Sequence, residues 1–238
     1  STKTVLYTVF TANTSSFSEN RRWEGSHAVM DAKKPDMILK TLNAAGFEAY
    51  YVGGCVRDRL LGRRLHDWDI TTSALPQQIM ALFSHCIPTG IRHGTVTVLL
   101  DGAQAEVTTF RAEGAYLDGR HPSEVRFVPR LEEDLSRRDF TVNAMAMDLA
   151  GNLTDPYSGQ RDLEHHVLRV VGSPSDRFSE DALRMFRACR FVAQLGFLPE
   201  AGILPAIKAE APRAKGLSLS RVKAELQNFL GHPTLVRA

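Results

Sequence analysis

The chain has 238 residues, of which 43% are hydrophobic and 24% are charged, and its formal net charge is +2. This composition is typical of a soluble globular protein with one large domain or two small ones. No apolar run reaches the roughly 18 residues that a membrane helix needs, so we expect no membrane span. Cys55, Cys86 and Cys189 are scattered and form no C-x-x-C pair, which predicts reduced thiols and a cytoplasmic location.

Basic charge is concentrated in the last third of the chain. Residues 161–238 hold 12 Lys and Arg against 8 Asp and Glu, whereas residues 1–160 hold 17 against 19. Such an excess suits contact with the phosphates of a nucleotide or a nucleic acid. A solvated helix face would carry the same excess, so charge alone leaves both interpretations open.

The first half of the chain predicts alternating helices and strands. Residues 1–34 are rich in Ser, Thr and Asn and lack sustained periodicity, so we expect a flexible leader. Pro35 begins a predicted helix that Gly46 ends. The elements predicted next are a strand at 49–52, a Gly-Gly turn, a short helix to about residue 62, a strand at 68–72, a helix at 74–83 and a hairpin of strands 95–100 and 104–110 around Asp101-Gly102.

The second half begins irregularly and then becomes helical. Residues 111–137 are polar and contain Gly and Pro, so we expect a long functional or mobile loop. Residues 140–149 are apolar without a clear period, and 168–171 predicts a strand. From residue 175 onward, apolar residues recur at helical spacing as far as Gly196. The chain therefore predicts a mixed α/β part followed by an all-helical part from about residue 173.

The Gly53-Gly54 pair follows a predicted strand and precedes a predicted helix. Such a turn exposes backbone N–H groups, and the positive end of the helix dipole adds to their attraction for an anion. Arg57 lies one turn further on, within reach of the same anion. The pattern predicts a phosphate site, although a glycine pair is more often only a tight turn.

Two carboxylates stand at the start of the next predicted strand. Asp67 and Asp69 are two residues apart, so we expect both to project from one face of the strand. Because carboxylates that point together repel each other unless a cation lies between them, the pair predicts a two-metal Mg²⁺ site. Glu106, in the strand at 104–110, is a candidate third carboxylate. Solvated acidic residues would show the same pattern.

Two further clusters combine arginine with acidic residues. Arg138, Asp139 and Asn143 fall in a block that begins with a dibasic pair, which suits the phosphate and ribose of a nucleotide but also an ion pair that caps an element. The second cluster consists of Glu180, Asp181, Arg184 and Arg187. Asp181 and Arg184 are three residues apart, as helical neighbours would be.

Asp181 and Arg184 suit the recognition of particular bases. Cytosine and adenine each place an amino group beside a ring acceptor, whereas uracil and guanine place a carbonyl there. A fixed carboxylate and guanidinium would therefore admit C and A and reject U and G. A surface salt bridge is the usual alternative for such a pair.

Together these blocks resemble the class II tRNA nucleotidyltransferases and the related bacterial poly(A) polymerases. The matching segments, between about residues 45 and 198, are YVGGCVRD, HDWDITTSALP, RHGTVTVLL, AEVTTFR, EGAYLDGRHP, RRDFTVNAMA and RFSEDALRMFRACRFVAQLGF. The resemblance implies an α+β fold. A polymerase-β-like nucleotidyltransferase head, with a mixed sheet and flanking helices, would occupy residues 35–172, and a helical neck that recognises the base would occupy 173–238.

The same resemblance implies roles for individual residues. Asp67 and Asp69 would bind the catalytic metal ions. The residues implied to bind the nucleotide are Gly53, Gly54 and Arg57 at the triphosphate, Arg138, Asp139 and Asn143 at the phosphate and sugar, and Glu180, Asp181, Arg184 and Arg187 at or around the base. Asp118 and Arg120 fall in a segment similar to the family's flexible loop, which is associated with the change from CTP to ATP.

The sequence departs from the family in two places. In the segment 216–222, Ser220 stands where the family usually has an acidic residue. The family also continues into body and tail domains that grip tRNA, whereas this sequence ends at Ala238. We therefore expect either that the tRNA grip comes from a missing segment or from a partner chain, or that tRNA binding is weak.

The resemblance predicts an enzyme that adds C and A from CTP and ATP to the 3′ end of tRNA and releases pyrophosphate. An enzyme that adds only A would have a similar head. Poly(A) polymerases often carry Pro where Ala182 stands, which favours the tRNA enzyme over them. A catalytically weak nucleotide- or RNA-binding fragment is the alternative from a different class.

Overall fold

The computed structural model describes residues 33–63, 65, 67–113 and 125–230. Most of the predicted leader, together with Asp118 and Arg120 of the predicted flexible loop, lies outside these residues. Across the described ranges, no helix has both the length and the apolar character needed to span a bilayer. All three cysteines are free thiols, as the sequence predicts.

Short strands and helices alternate over the first two thirds of the described chain. The strands are β1 (Ala49–Val52), β2 (Asp69–Thr72), β3 (Cys86–Gly90), β4 (Thr95–Leu100), β5 (Ala103–Thr109), β6 (Arg111–Glu113), β7 (Val125–Phe127), β8 (Ala146–Met147), β9 (Leu153–Thr154), β10 (Val167–Leu168) and β11 (Leu198–Pro199). The helices are α1 (Lys33–Ala44), α2 (Gly54–Leu60), α3 (Pro76–Leu82), α4 (Leu131–Ser136), α5 (Gly159–Glu164), α6 (Pro174–Glu180), α7 (Leu183–Leu195), α8 (Ile203–Glu210) and α9 (Leu219–Leu230). Short 3₁₀ turns cover Ile91–His93, Thr141–Asn143 and Ala211–Gly216.

Seven strands form one mixed sheet in the order β3-β4-β5-β2-β1-β8-β9. Strands β2 and β5 are parallel, and the other neighbours are antiparallel. The parallel register places Asp69 beside Glu106. Because cross-strand partners project from the same face of a sheet, these two carboxylates share one face. The predicted mixed sheet with flanking helices is confirmed.

The main apolar core runs from the sheet into the helical part without interruption. Ile38 and Leu42 of α1, Val107 of β5, and Phe178 and Met185 of the later helices are all fully buried in one cluster. Burial of this apolar area is the principal stabilising contribution to the fold. The helical part therefore packs directly on the head, and the division at residues 172 and 173 stays a prediction.

Several predicted elements of the first half are confirmed within one or two residues. They include the strand after α1, the short helix after the glycine pair and the hairpin of β4 and β5. At the hairpin tip, Asp101 and Gly102 have φ values of 49° and 78°. A two-residue turn of this type requires positive φ at both positions, which explains why Asp-Gly is a reliable signal there.

The predicted long loop at 111–137 is wrong over the part described. Strands β6 and β7 pair with each other, and helix α4 follows them. Strand β3 was not predicted, because it carries Pro88 and is largely exposed at the edge of the sheet, where no apolar alternation marks it. The segment 140–149 contains a 3₁₀ turn and the two residues of β8, whereas the strand predicted at 168–171 is confined to β10.

The helix predicted from residue 175 to Gly196 is two helices. Helix α6 ends at Glu180 and α7 begins at Leu183, while Asp181 between them has an extended backbone with φ −141° and ψ 106°. The expectation that Asp181 and Arg184 are neighbours on one helix is therefore wrong. Gly196 does end α7, in the left-handed conformation that favours glycine (φ 70°).

Gly159, the first residue of α5, lets this helix approach the segment that leads into the cleft described below. A Cβ atom at Gly159 would lie 2.2 Å from the carbonyl oxygen of Thr141. Thr141 also donates from Oγ1 to Asp162 of α5, at 2.6 Å. The close contact and the hydrogen bond together fix the backbone between Asp139 and Asn143.

We expect Gly159→Ala to lower the melting temperature of the chain by roughly 5–10 °C, because the added methyl meets backbone rather than a movable side chain. Gly90→Ala is the matched control, since its Cβ would come no closer than 3.4 Å to Thr95. Thermal unfolding followed by circular dichroism measures both. Equal melting temperatures for the two variants would contradict the close packing at Gly159.

Candidate active site

A cleft of about 560 Å³ lies between the end of the sheet and the helical part. The residues that line it are Gly53, Gly54, Arg57, Asp67, Asp69, Arg137, Arg138, Asp139, Asn143, Asp181, Leu183, Arg184, Arg187, Arg190, Phe191 and Arg221. The structure thus brings together most of the predicted site residues from four separate segments. Glu106 and Glu180 are described but lie outside this lining.

The glycine turn is held by a conformation that only glycine adopts readily. Gly53 has φ 73° and ψ −131°, and a Cβ there would lie 3.1 Å from Nη1 of Arg138. Its own N–H donates to the carbonyl of Met145, at 3.3 Å. The amides available to an anion are therefore those of the first turn of α2, which have no acceptor within the helix.

Arg57 is fixed beneath this turn by two partners. Its Nε and Nη2 donate to the carboxylate of Asp58 at 2.9 and 2.8 Å, and its Nη1 donates to Oδ1 of Asn143 at 2.7 Å. Asn143 also places Nδ2 at 3.5 Å from Oδ1 of Asp139. Asn143 therefore links the arginine of the glycine turn to the Arg-Arg-Asp segment.

The two predicted metal-binding aspartates line the cleft in different environments. Asp69 is the first residue of β2 and is half-buried, whereas Asp67 precedes the strand and is exposed. Burial raises the pKa of Asp69 to about 6; the charge of Arg138 opposes this rise, and the charges of Glu106 and Asp67 add to it. A divalent cation would relieve this repulsion and the cost of burial together.

The donor chemistry fits Mg²⁺, which proteins commonly hold through one or two carboxylates together with substrate phosphates. Among the described residues, no three His, Cys, Asp or Glu side chains are grouped so that they could hold one ion. Asp67 and Asp69 face the cleft beside the glycine turn. Glu106, which is exposed, is the register partner of Asp69 and stays a predicted third carboxylate.

Asp134 of α4 was not predicted, although it orders the dibasic pair. It is fully buried and accepts hydrogen bonds from Nε of Arg137 and from Nη2 of Arg138, both at 3.0 Å, and from Oγ1 of Thr71 at 3.3 Å. Burial opposes its ionisation, but the two guanidiniums hold its pKa below the usual range. The spacing of three and four residues from Arg137 and Arg138 is the signal that points to it.

Asp139 is a buried carboxylate of the cleft and forms an ion pair with Arg187. Its Oδ2 accepts from Nε of Arg187 at 2.6 Å, and its Oδ1 accepts from the amide of Phe140 at 2.9 Å. Burial opposes its ionisation, but the charges of Arg187 and Arg184 and the Phe140 amide hold its pKa below the usual range. The pair joins the head to helix α7.

The predicted base-reading residues have other partners than the sequence suggested. Arg184 donates from Nη1 to Oε2 of Glu180 at 2.5 Å and from Nη2 to the carbonyl of Arg137 at 3.1 Å. Asp181 accepts from the amide of Leu183 at 3.0 Å and from Nη2 of Arg221 at 2.7 Å. Glu180 is thus the ion-pair partner of Arg184, while Asp181 lies in the break between two helices.

Phe191 of α7 lines the cleft, and sequence reasoning missed it. Its ring is covered by the guanidiniums of Arg57, Arg187 and Arg190, at 5.2, 5.4 and 4.3 Å from the ring centroid. Cation–π attraction of this kind is worth about 0.5–1 kcal/mol or more per contact. The spacing of Arg184, Arg187 and Arg190 is the helical signal that could have found this cluster.

The mixed sheet, the glycine turn and the carboxylates beside it define the head of a polymerase-β-like nucleotidyltransferase. A family model described as the poly(A) polymerase head domain matches residues 49–169. The chain therefore belongs to the poly(A) polymerase head domain family, and the resemblance inferred from its motifs is confirmed. Nucleotidyltransferases of this family use divalent metal ions.

Known proteins that resemble the chain include CCA-adding enzymes and a tRNA nucleotidyltransferase. A CCA-adding enzyme of Lactobacillus helveticus is 55% identical over 188 residues, which cover 79% of this chain and 47% of that protein. The crystal structure of the Bacillus stearothermophilus CCA-adding enzyme in complex with CTP matches with a TM-score of 0.80 at 44% identity and covers 87% of this chain and 50% of that one. A tRNA nucleotidyltransferase complexed with a primer tRNA and an incoming ATP analogue matches with a TM-score of 0.65 at 29% identity and covers 84% and 60%.

The chain therefore spans about half the length of the curated relatives that it matches. The matched half contains the sheet, the cleft and the helices around it. What the whole relatives do, including their action on tRNA, is for this chain a matter of proposal.

We expect Arg187→Gln to destabilise the chain by about 3 kcal/mol near neutral pH, because it leaves the carboxylate of Asp139 buried without its main partner. In the parent chain the pKa of Asp139 is lower in the folded state than in the unfolded state. The stability that results is fully present at a pH above the unfolded-state pKa, and it is lost as the pH falls through the folded-state pKa. In the variant, burial raises that pKa, so protonation at acid pH relieves the cost. The loss should therefore be larger at about pH 8 than at about pH 5.

Arg190→Gln is the matched control, because Arg190 lies on the same helix and also pairs with a carboxylate, that of Glu225. In this variant Glu225 still has Arg187 as a partner. Urea unfolding across the pH range measures all three proteins. A stability loss in Arg187→Gln that does not change with pH would show that Arg187 does not control the pKa of Asp139.

Proposed function

We propose that the chain is the nucleotide-selecting and catalytic part of a CCA-adding tRNA nucleotidyltransferase, which transfers CMP and AMP from CTP and ATP to the 3′ end of tRNA. The observation that carries this proposal is the single cleft in which the Asp67 and Asp69 carboxylates, the glycine turn and the Asp181–Arg184 pair meet. The similarity to CCA-adding enzymes over most of the chain supports it.

In this proposal the nucleotide lies along the cleft from the sheet towards the helices. The first-turn amides of α2 and the guanidinium of Arg57 hold the triphosphate, and Arg138 neutralises its charge beside Gly53. On the ribose side of the site, Asp139 accepts a hydrogen bond from Arg187, and Asn143 accepts one from Arg57. These two contacts order that side of the site. Transfer then depends on the alignment of the tRNA hydroxyl with the α-phosphate and on the neutralisation of charge as pyrophosphate leaves.

Mg²⁺ is the proposed metal, with Asp67 and Asp69 as its protein ligands and Glu106 as a nearby carboxylate. When bound, it supplies a positive charge that lowers the pKa of the attacking hydroxyl and stabilises the leaving pyrophosphate. Asp69, which is half-buried and lines the cleft together with Gly53 and Gly54, would be one ligand of this ion. The exposed Asp67 leaves the site open to an incoming 3′ end.

The base would be read by the carboxylate of Asp181 and the guanidinium of Arg184. Both are held by protein partners that leave them on the lining of the cleft. Cytosine and adenine present an amino donor to a carboxylate and a ring nitrogen acceptor to a guanidinium, whereas uracil and guanine present a carbonyl in place of the amino group. Selection for C and A then follows without a nucleic-acid template.

An enzyme that adds only A, or a poly(A) polymerase, is the second candidate function, because the matching family model is that of a poly(A) polymerase head. Extension of tRNAs that end before CCA, after C and after CC, with CTP and ATP singly and together, separates these functions. Addition of CCA to the shortest tRNA is the expected result. A single A added only to the CC end, or a long A tail, would identify the second candidate.

We expect Asp69→Asn to reduce nucleotide transfer roughly 1,000-fold, since it removes one carboxylate of the proposed metal site. Asp101→Asn is the matched control, because Asp101 lies at the tip of the β4–β5 hairpin with φ 49°, a conformation that asparagine also tolerates. Primer extension with radiolabelled CTP at varied Mg²⁺ measures both. Unreduced transfer in Asp69→Asn would rule out the metal assignment, whereas CTP binding without transfer in the parent chain would show that the chain needs further parts for catalysis.

We expect Asp181→Ala to raise the use of UTP relative to CTP by roughly tenfold, because the acceptor for the exocyclic amino group is lost. Asp176→Ala is the matched control, since Asp176 is an exposed residue of the same helix pair. The ratio of kcat/KM for CTP to that for UTP measures the effect. An unchanged ratio in Asp181→Ala would disprove base reading by this residue.

A further inference from the structure

Arg221, in the first turn of α9, reaches across to the break between α6 and α7. Its Nη2 lies 2.7 Å from Oδ2 of Asp181, whose other oxygen accepts from the amide of Leu183. The side chains of Arg221 and Asp181 are 36% and 19% exposed, so the ion pair is only partly open to solvent. Each oxygen of the carboxylate is therefore held by a donor from a different helix.

The two hydrogen bonds to the Asp181 carboxylate affect the selectivity between bases. Selectivity for one base over another is a difference between two binding free energies, and it requires acceptors whose direction does not adapt to the wrong base. The extended backbone at Asp181 belongs to neither helix, so helical packing does not fix its side chain. The hydrogen bond from Arg221 restricts the rotation that the break would otherwise allow.

Helix α9 is held against the cleft by the helix face that carries Arg221. Glu225 lies one turn after Arg221 and accepts from Nη1 of Arg187 at 3.3 Å and from Nε of Arg190 at 2.7 Å. Residues four apart on a helix share a face. Glu225 is 9% exposed and so docks the helix as a buried partner of α7, which directs Arg221 to Asp181.

We propose that Arg221 is a positioning residue for base selection, which acts by orienting the carboxylate of Asp181 rather than by binding the nucleotide itself. This inference rests on the proposed function, since it assumes that Asp181 reads the base. It gives a role to the segment 216–222, which departs from the family at Ser220. The residue that carries this role is the arginine beside Ser220.

A double-mutant cycle tests whether Arg221 acts through Asp181. The ratio of kcat/KM for CTP to that for UTP is measured for the parent chain, Arg221→Met, Asp181→Ala and the double variant. We expect Arg221→Met to lower the ratio roughly tenfold and to have no further effect when Asp181 is already alanine. Arg221→Lys, which keeps the charge but loses the planar fork, should restore part of the ratio.

Arg213→Met is the control for loss of a neck arginine, because Arg213 pairs with Glu210 and is 54% exposed. It should leave the ratio unchanged. A merely structural role of Arg221 would lower the use of CTP and UTP equally and would lower the melting temperature, which is measured for every variant. Equal losses, or an effect that adds to that of Asp181→Ala, would overturn the inference. A parent chain that does not prefer CTP over UTP would overturn the proposed function as well.

Discussion

The cleft depends on the placement of several positive charges in one small volume. Seven arginines and four aspartates are among its lining residues. Guanidiniums this close repel one another. Negative partners within the protein are therefore needed to keep them together when no ligand is bound. In the structure, carboxylates form ion pairs with these arginines and balance part of their charge.

Buried carboxylates supply much of the negative charge that balances these arginines. Asp134 holds Arg137 and Arg138, Asp139 holds Arg187, and Glu225 holds Arg187 and Arg190. A buried charge without a partner is costly, so each of these pairs is fixed more firmly than a surface salt bridge would be. Preorganised charge of this kind is what transition-state stabilisation in phosphoryl and nucleotidyl transfer requires.

The same ion pairs also join the two parts of the chain. Asp139 follows α4 in the head, whereas Arg187 belongs to α7, and Glu225 adds α9 to the arrangement. The apolar core is continuous across this junction as well. The two walls of the cleft are therefore connected both by packing and by charge.

Sequence reasoning predicted the local features of this arrangement better than the long-range ones. The glycine turn, the hairpin at Asp101-Gly102 and the end of α7 at Gly196 follow from backbone conformations that few residues adopt, so a single position reveals them. Glu106 was only a candidate third carboxylate, because its place beside Asp69 depends on a parallel register between two strands that are far apart in sequence. Asp134 was missed because the sequence shows that it lies near Arg137 and Arg138 but does not show that it is buried.

The break at Asp181 shows why the arrangement of the two proposed base-reading residues could not be derived from spacing alone. Apolar periodicity continues through this position, so the sequence predicts one helix, yet the extended conformation of Asp181 frees its carboxylate to meet Arg221 and the Leu183 amide. Had the helix continued, Asp181 and Arg184 would have been neighbours on one surface and would have neutralised each other. The break separates their partners, with Glu180 on Arg184 and Arg221 on Asp181. A carboxylate and a guanidinium with separate partners can each meet a different group on one edge of a base, as proposed here, which a mutual salt bridge would prevent.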